Sequence, residues 1–468
     1  CIRDRDVVLG MGGSSLAAEV LYQVFGFADG HPAFAMLDST NPEQVKNSVA
    51  SPETSLFIVS SKSGSTLETA DLMAHFLYLV EQRVEEPGKH FVAITDPGSS
   101  LEKFGQSRGF ERIFLNPPDI GGRYSALSYF GLVPAALMGV KLSRILGATG
   151  SFADDTVAQS GRQVEDLALL MSEADHKGAH NVQIQLDQPF GIMGLWIEQL
   201  VAESLGKCGK GVVPIVKPGS MQSADRTTQP PASARAMVSA TGDKGERIAK
   251  LEWMIPDQDG LGAEFLRWEM ATALAASLME INPFDQPDVE RAKIRTRAII
   301  DGTDDVELPQ EAEHEGYGLS VSLGDSDSFG SQISGFLACA DVCGYLAVLA
   351  YLPMDRKTTQ ALESFGEALA DKTGVDLICG YGPRYLHSTG QLHKGGPKTG
   401  GFIQLVEESD EEGCIPGRHY SFSELHRAQA DGDYSVLQEI GRPIMRIVIK
   451  KDRLGTLARV TEELSTKG

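Results

Sequence analysis

The densest chemistry in this chain lies in Ser60-Ser-Lys-Ser-Gly-Ser-Thr66, followed by Leu67-Glu-Thr69. Five hydroxyls, a lysine and a glycine in seven positions fit a cradle for a phosphate. The free N–H groups at a helix start attract an anion, Gly64 lets the backbone turn closely, and Lys62 adds a full charge. A turn that merely caps a helix needs a single hydroxyl. Ser61, Lys62, Ser63, Thr66 and Thr69 are therefore the candidate anion ligands.

Three more groups carry chemistry. Gly10-Met-Gly-Gly-Ser-Ser15, with Gly13 and Ser14 at its centre, is a turn that brings backbone close to a small polar ligand. With Asp38 closing the next apolar run it also fits, imperfectly, a dinucleotide-binding turn, because the third glycine of that fingerprint is missing. Gly121-Gly122-Arg123 presents a guanidinium where backbone bulk would obstruct. Glu198, Gln199 and Glu203 share one helix at spacings that set Glu203 near both neighbours, although an isolated helix carboxylate commonly belongs to a solvated face.

The elements that must position these groups follow from the apolar pattern. Val7–Leu9, Ala33–Leu37, Leu56–Ser60, His90–Thr95 and Arg112–Leu115 read as strands, and helical segments separate them. Such alternation predicts a parallel sheet with helices on both faces and ligands beyond the carboxyl ends of its strands. The glycine turn and the Ser/Lys/Thr turn both sit at such ends, so they can face one site. A second alternating half is expected from Val182–Leu186, a helix at Phe190–Ser204 and Val212–Val216. Residues 217 to 247 read as a long loop with little core, and Leu251–Pro256 as a short strand. The acidic residues 301–315 read as a solvated connection. Beyond them the pattern predicts a strand at Leu346–Leu352, a helix at Arg356–Asp371, strands at Val375–Cys379 and Ile444–Ile449, and helices near Phe422–Ala430 and from Leu454.

Composition narrows the function. The 468 residues allow two or three domains, and 42% hydrophobic with 23% charged residues is ordinary for a globular protein. A net charge of −22 argues against nucleic acid bound through its backbone, so an anionic ligand must be drawn in by a local cluster. No run of about eighteen apolar residues predicts a membrane span. Cys1, Cys208, Cys339, Cys343, Cys379 and Cys414 form no CxxC pair, which fits a reducing cytoplasm. The start at Cys1, without a basic end leading into an apolar run, leads us to expect a piece of a longer polypeptide rather than a signal peptide.

Together these pieces resemble the phosphoglucose isomerase family. The matching motifs are Gly10-Met-Gly-Gly-Ser14, Ser61-Lys-Ser-Gly-Ser-Thr-Leu-Glu-Thr69, Gly121-Gly-Arg-Tyr-Ser125, Gln199-x-x-x-Glu203-Ser-x-Gly-Lys207, Ile281-Asn-Pro-Phe-Asp-Gln-Pro-x-Val-Glu-x-x-Lys293 and His387-Ser-x-Gly-Gln391. The resemblance implies an α/β fold of two sugar-isomerase (SIS) type doubly wound parallel-sheet domains, each a three-layer αβα sandwich. Residues 1–150 would form the first, residues 151–300 the first part of the second with Glu203 and Lys293, 301–315 the acidic connection, and 316–468 the remainder with His387.

It also implies a sugar phosphate substrate and interconversion of glucose 6-phosphate and fructose 6-phosphate. Glu203 would be the enediol base, Arg123 the stabiliser of developing charge, and Lys293 and His387 the ring-opening pair. Ser14, Gly13, Gly122 and Gln199 would contact the sugar. No cofactor and no metal are expected, since protonation and Arg123 replace Lewis-acid polarisation and His387 and His393 lack a ligand set. A cytoplasmic homodimer is implied. The wording from Leu386 to Gly396 is most similar to the isomerase half of transaldolase–isomerase fusions, which implies an N-terminal transaldolase in the full polypeptide. One departure stands out: the motif order here is Glu203, Lys293, His387, whereas the family places the histidine motif soon after the glutamate. A non-catalytic sugar-phosphate-binding regulator is the alternative, and a nicotinamide-dependent oxidoreductase resting on Asp38 a distant third.

Overall fold

Five short apolar runs, β1 (Arg5–Gly10), β2 (Ala33–Leu37), β3 (Ser55–Ser60), β4 (Phe91–Thr95) and β5 (Arg112–Leu115), pair in the order β2-β1-β3-β4-β5, all parallel. They belong to a computed structural model that describes residues 3–155, 159–217, 233–241, 247–303, 311–314, 317–321, 335–338, 344–409 and 411–465. A parallel sheet is covered on both faces, so its strands read as near-continuous apolar runs; every residue of β3 is buried. The strand period then sorts the two cores. Val8, Ile58 and Ile94 face Trp196, Phe265 and Trp268. Val7, Leu9, Phe57 and Phe91 face Phe76 and, from the far end of the chain, Ile415, Phe422 and Leu425.

The strands beyond residue 150 fall into two further sheets. β6 (Asn181–Leu186), β7 (Val213–Val216), β8 (Ala234–Thr241) and β9 (Arg247–Ile255) pair in the order β7-β6-β8-β9, with β8 antiparallel to both neighbours. β10 (Glu311–His314), β11 (Tyr317–Val321), β12 (Tyr345–Tyr351), β13 (Asp376–Tyr381), β14 (Gly400–Glu407) and β15 (Ile444–Ile449) pair as β10-β11-β15-β14-β12-β13. The last four of these are mutually parallel, and the β10/β11 hairpin adds antiparallel to β15. Mixed α/β architecture with a fully parallel first sheet agrees with SIS-type three-layer αβα units.

Three local expectations are corrected. Residues 217–247 read in sequence as a loop because they are rich in Pro, Ser, Gln and Gly. Residues 218–232 and 242–246 lie outside the described residues, but Ala234–Thr241 is a strand whose alternate positions are buried. Small alanines at those positions pack closely yet carry little apolar signal. Its partner is nine residues long, from Arg247 to Ile255, where a short strand was expected. In the acidic connection, Glu311–His314 pairs with β11, showing that backbone pairing overrides a solvated composition; residues 304–310 and 315 lie outside the described residues. The cysteine pair Cys339 and Cys343 also lies outside them.

The Met193–Leu205 helix is buried along nearly its whole length. Trp196, Ile197, Leu200 and Val201 face the core shared by the first two sheets, while Ala202 faces the core under the third. A helix enclosed on all sides has no solvated face on which to put a carboxylate. Burial accordingly pushes the Glu198 carboxyl up to about 8. The folded state then holds a proton that the unfolded chain gives up near the ordinary carboxylate value, so stability is fully present below that value and falls as pH rises toward about 8. Glu198→Gln, which mimics the protonated form, is expected to raise Tm at pH 8 and leave it nearly unchanged at pH 4; an equal Tm difference at both values would contradict this.

Candidate active site

A cavity of about 560 Å³ opens at the carboxyl ends of β1 and β3. One wall is the Ser/Lys/Thr turn, from which Lys62, Ser63, Ser65, Thr66 and Glu68 line the space. Thr66 starts the Leu67–Glu81 helix without capping it through its side chain; the Glu68 carboxylate takes its own backbone N–H, and the rest of that first turn is left for another acceptor. The turn is shaped by Gly64, at φ +69°, and by Ser61, whose hydroxyl accepts the Gly64 N–H at 3.1 Å and lies 3.1 Å from the Thr66 hydroxyl. Ser61 is buried and builds the turn from behind rather than lining the cavity. Thr69 is also buried and does not line it. Lys62 ion-pairs with Asp96, another lining residue, and donates to the Pro118 carbonyl at 2.9 Å.

The glycine turn packs against two other motif loops at distances that exclude a side chain. A Cβ on Gly13 would lie 2.3 Å from the Gly122 carbonyl oxygen. On Gly12, already at φ +54°, it would meet the His387 carbonyl at 2.6 Å. Gln199 ties the same region together, since its Nε2 donates to the His387 carbonyl at 2.8 Å and to Glu203 Oε2 at 3.2 Å. Gly13, Ser14, Gly122, Arg123, Gln199, Glu203, Lys293 and His387 all line the one cavity. Residues widely separated in the chain thus converge despite the altered motif order, and His387 reaches the cavity of its own chain.

At the carboxylate end, Arg123 is 5% exposed and its Nη1 lies 3.3 Å from Glu203 Oε2. Its Nη2 donates to the Asp285 carbonyl at 3.1 Å and to Gln286 Oε1 at 2.6 Å. Lys207 holds that turn in turn, donating to the Asn282 carbonyl at 2.7 Å and to Asp285 Oδ1 at 2.9 Å. Gln286 and Lys207 sit inside motifs quoted above but were not nominated; nothing short of a partner for Arg123 singles them out.

The most consequential omission is Glu68. His387 Nε2 donates to Glu68 Oε1 at 3.0 Å, and Gln429 Nε2 donates to the same oxygen at 2.7 Å. Burial alone would raise the Glu68 carboxyl, yet the charge and hydrogen bond of His387, its backbone hydrogen bond and the charge of Lys293 hold it below its ordinary value. Glu68 is the residue before Thr69, and the helix turn that follows a phosphate cradle hides it among positions expected to pack. Lys293 is half-exposed and pairs with Glu290 at 2.7 Å. Asp38 is buried and engaged by Arg384 Nε at 2.9 Å, which spends the carboxylate that a nicotinamide ribose would need.

Residues 3–208 match the phosphoglucose isomerase family. A glucose-6-phosphate isomerase of Campylobacter jejuni is 33% identical over 43% of the chain and 50% of its own length, so that match spans half of the relative. One of Thermus thermophilus is 28% identical over 63% of the chain and 84% of its own length. Among solved structures, a glucose-6-phosphate isomerase from Chlamydia trachomatis superposes with a TM-score of 0.50 at 19% identity, covering 64% of this chain and 70% of that one, a likeness of fold. The family match covers residues 3–208, less than half of the chain, and similarity to glucose-6-phosphate isomerases extends beyond them.

Proposed function

We propose that the chain is an aldose–ketose isomerase of sugar metabolism that interconverts glucose 6-phosphate and fructose 6-phosphate. The observation that carries this reading is a single cavity with an anion cradle on one wall and, on the others, an arginine-paired carboxylate and a carboxylate-paired histidine. The uncapped start of the Leu67–Glu81 helix with Ser63, Ser65 and Thr66 receives the phosphate, and that remote contact holds the open chain in place. His387 has Nε2 committed to Glu68, which leaves Nδ1 to exchange a proton at the ring oxygen or the carbon 1 hydroxyl, with Lys293 as the second polar group at that step. Glu203 then removes the proton from carbon 2 and returns it to carbon 1 through a cis-enediol. Arg123, fixed by Asp285 and Gln286, opposes the negative charge that develops on the enediolate oxygens.

The reading extends to three points of setting. The similarity of Leu386–Gly396 to transaldolase–isomerase fusions supports a fused transaldolase partner domain in the full polypeptide. The family's habit supports a homodimer, and the scattered cysteines support a cytoplasmic location. Among the described residues no helix is long and apolar enough to cross a membrane. A phosphosugar-binding regulator would use the cradle alone and needs neither Glu203 nor His387.

A coupled assay on fructose 6-phosphate, with and without chelator, tests the reading; equal turnover in both arms is expected, and no turnover in either sinks the enzyme reading. Glu203→Gln is expected to lower kcat by about two to four decades, the scale of a lost acid–base group, with KM nearly unchanged. Full turnover in that variant removes Glu203 as the base. Lys62→Ala is expected to act mainly on KM, and an unchanged KM would count against Lys62 as a phosphate ligand.

A further inference from the structure

One buried amide on the cavity wall is not used by this chemistry. Gln429, 2% exposed, donates its Nε2–H to Glu68 Oε1 at 2.7 Å, the oxygen that also accepts from His387. Its orientation is forced. Thr40 Oγ1 donates to Gln429 Oε1 at 2.6 Å, and a flipped amide would set its oxygen against the Glu68 carboxylate. Having given its proton to Gln429, the Thr40 hydroxyl can only accept from His426 Nδ1, 3.1 Å away. Burial pushes His426 down to about 4, so the ring is neutral and has one N–H to give. The hydrogen bonds therefore run in one direction from Thr40 through Gln429 to Glu68, where the donor from His387 meets them; the one His426 N–H has both the Thr40 hydroxyl and the Tyr351 carbonyl as neighbours.

We infer that Gln429 is a positioning residue for the isomerase reaction: its amide N–H pins the ionised Glu68 carboxylate against His387 and so fixes which imidazole nitrogen faces the sugar. This rests on the isomerase reading above. The helix that carries Gln429, Phe422–Glu439, is itself firmly placed. A capping box between Ser421 and Glu424 starts it. At Gly432 a Cβ would lie 2.9 Å from Thr296 Oγ1, on the helix that bears Lys293. One turn beyond Gln429, Asp433 accepts from the Tyr385 hydroxyl at 2.7 Å and ion-pairs with Lys394. Tyr385 and Lys394 bracket His387, so the helix holds the histidine loop at two further points.

The charged groups around this pair are few. His387 and Lys293 face Glu68; Asp71, on its own helix, is held by Arg418 and Tyr420, and Asp38, which faces His387 and lies against Arg384, is pushed by burial up to about 7 and is the other carboxyl that titrates beside the histidine. Without the Gln429 donor, Glu68 keeps its proton more readily, and while ionised it exerts a less neutralised charge on His387. Both effects move upward in pH.

Gln429→Met keeps the bulk and removes the N–H. It is expected to lower kcat on fructose 6-phosphate about tenfold, the scale of one hydrogen bond to a charged group, with KM unchanged and the pH–kcat profile displaced to higher pH. Gln429→Glu can replace the donor only while protonated, so its activity should recover toward that of the unaltered chain as pH falls. An unaltered kcat and profile in Gln429→Met, or an equal loss at every pH in both variants, overturns the inference. If Gln429→Met does not fold, Thr40→Val, which frees the amide, should show the same upward displacement, and an unmoved profile in that folded variant overturns it equally. Failure of the unaltered chain to turn over sugar phosphate refutes the isomerase reading alone. The coupling is then read from the His387 ring titration by NMR, which should move upward in Gln429→Met, and no movement there overturns the inference.

Discussion

The site depends on a close approach of backbones that only glycine permits. With Gly13 against the Gly122 carbonyl and Gly12 against the His387 carbonyl, three loops that leave different strands are stacked with no side chain between them. A methyl at Gly13 would stand 2.3 Å from an oxygen, inside any tolerable contact, so the loops would part. Parting them moves Arg123 away from Glu203 and His387 away from Glu68, because each charged pair has one member on a stacked loop. Gln199 reinforces the contact with one amide shared between the His387 carbonyl and the Glu203 carboxylate. The glycines supply the proximity, and the amide supplies the register.

Proximity of the loops would count for little if the end of the chain were loosely attached. The Phe422–Glu439 helix joins the outer core of the first sheet through Phe422 and Leu425, and the core under the third sheet through Tyr434 and Leu437. A single rigid element is thus packed into both halves of the molecule, with its buried polar residues Gln429 and Asp433 turned toward the groups that flank His387. Buried polar side chains are costly unless every partner is supplied, and supplying them fixes one arrangement of the neighbours over others. Here the same groups that satisfy the helix also orient the histidine.

Much of this was legible in the residues. The parallel first sheet follows from buried apolar runs separated by helical segments, and the place of the Ser/Lys/Thr turn on the cavity wall from its position at a strand's carboxyl end. The same signal misled at Ser61 and Thr69, because a hydroxyl that builds a turn and one that faces a ligand are the same residue type in sequence. The β8 strand was missed since its inward positions are largely alanine, whose burial leaves little trace in a hydropathy pattern. Glu68 and Gln429 were not nominated for a different reason. Their importance lies in a contact across 361 positions of chain, and periodicity records only which face a residue occupies, never what faces it.

The charge of the chain shapes how such a site can work. A molecule at −22 cannot attract a dianion through its mean field, so attraction must be local. Yet the cations nearest the cavity are largely compensated: Lys62 by Asp96, Arg123 by Glu203, Lys293 by Glu290, His387 by Glu68 and Lys394 by Asp433. On the proposed reading, a phosphate binding at Lys62 exchanges one anionic partner for another, so the Coulomb gain of the new pair is reduced by loss of the old one. Outside these pairs stand the exposed Arg297, which also lines the cavity, and the start of the Leu67–Glu81 helix, which Thr66 does not cap through its side chain. On the proposed reading, backbone dipoles at that helix start contribute to holding the phosphate alongside Arg297, and their aim is set by the fold and needs no reordering of a long side chain. On that same reading the paired side chains serve the carbon and oxygen atoms at the other end of the sugar, where charge appears only as the reaction proceeds.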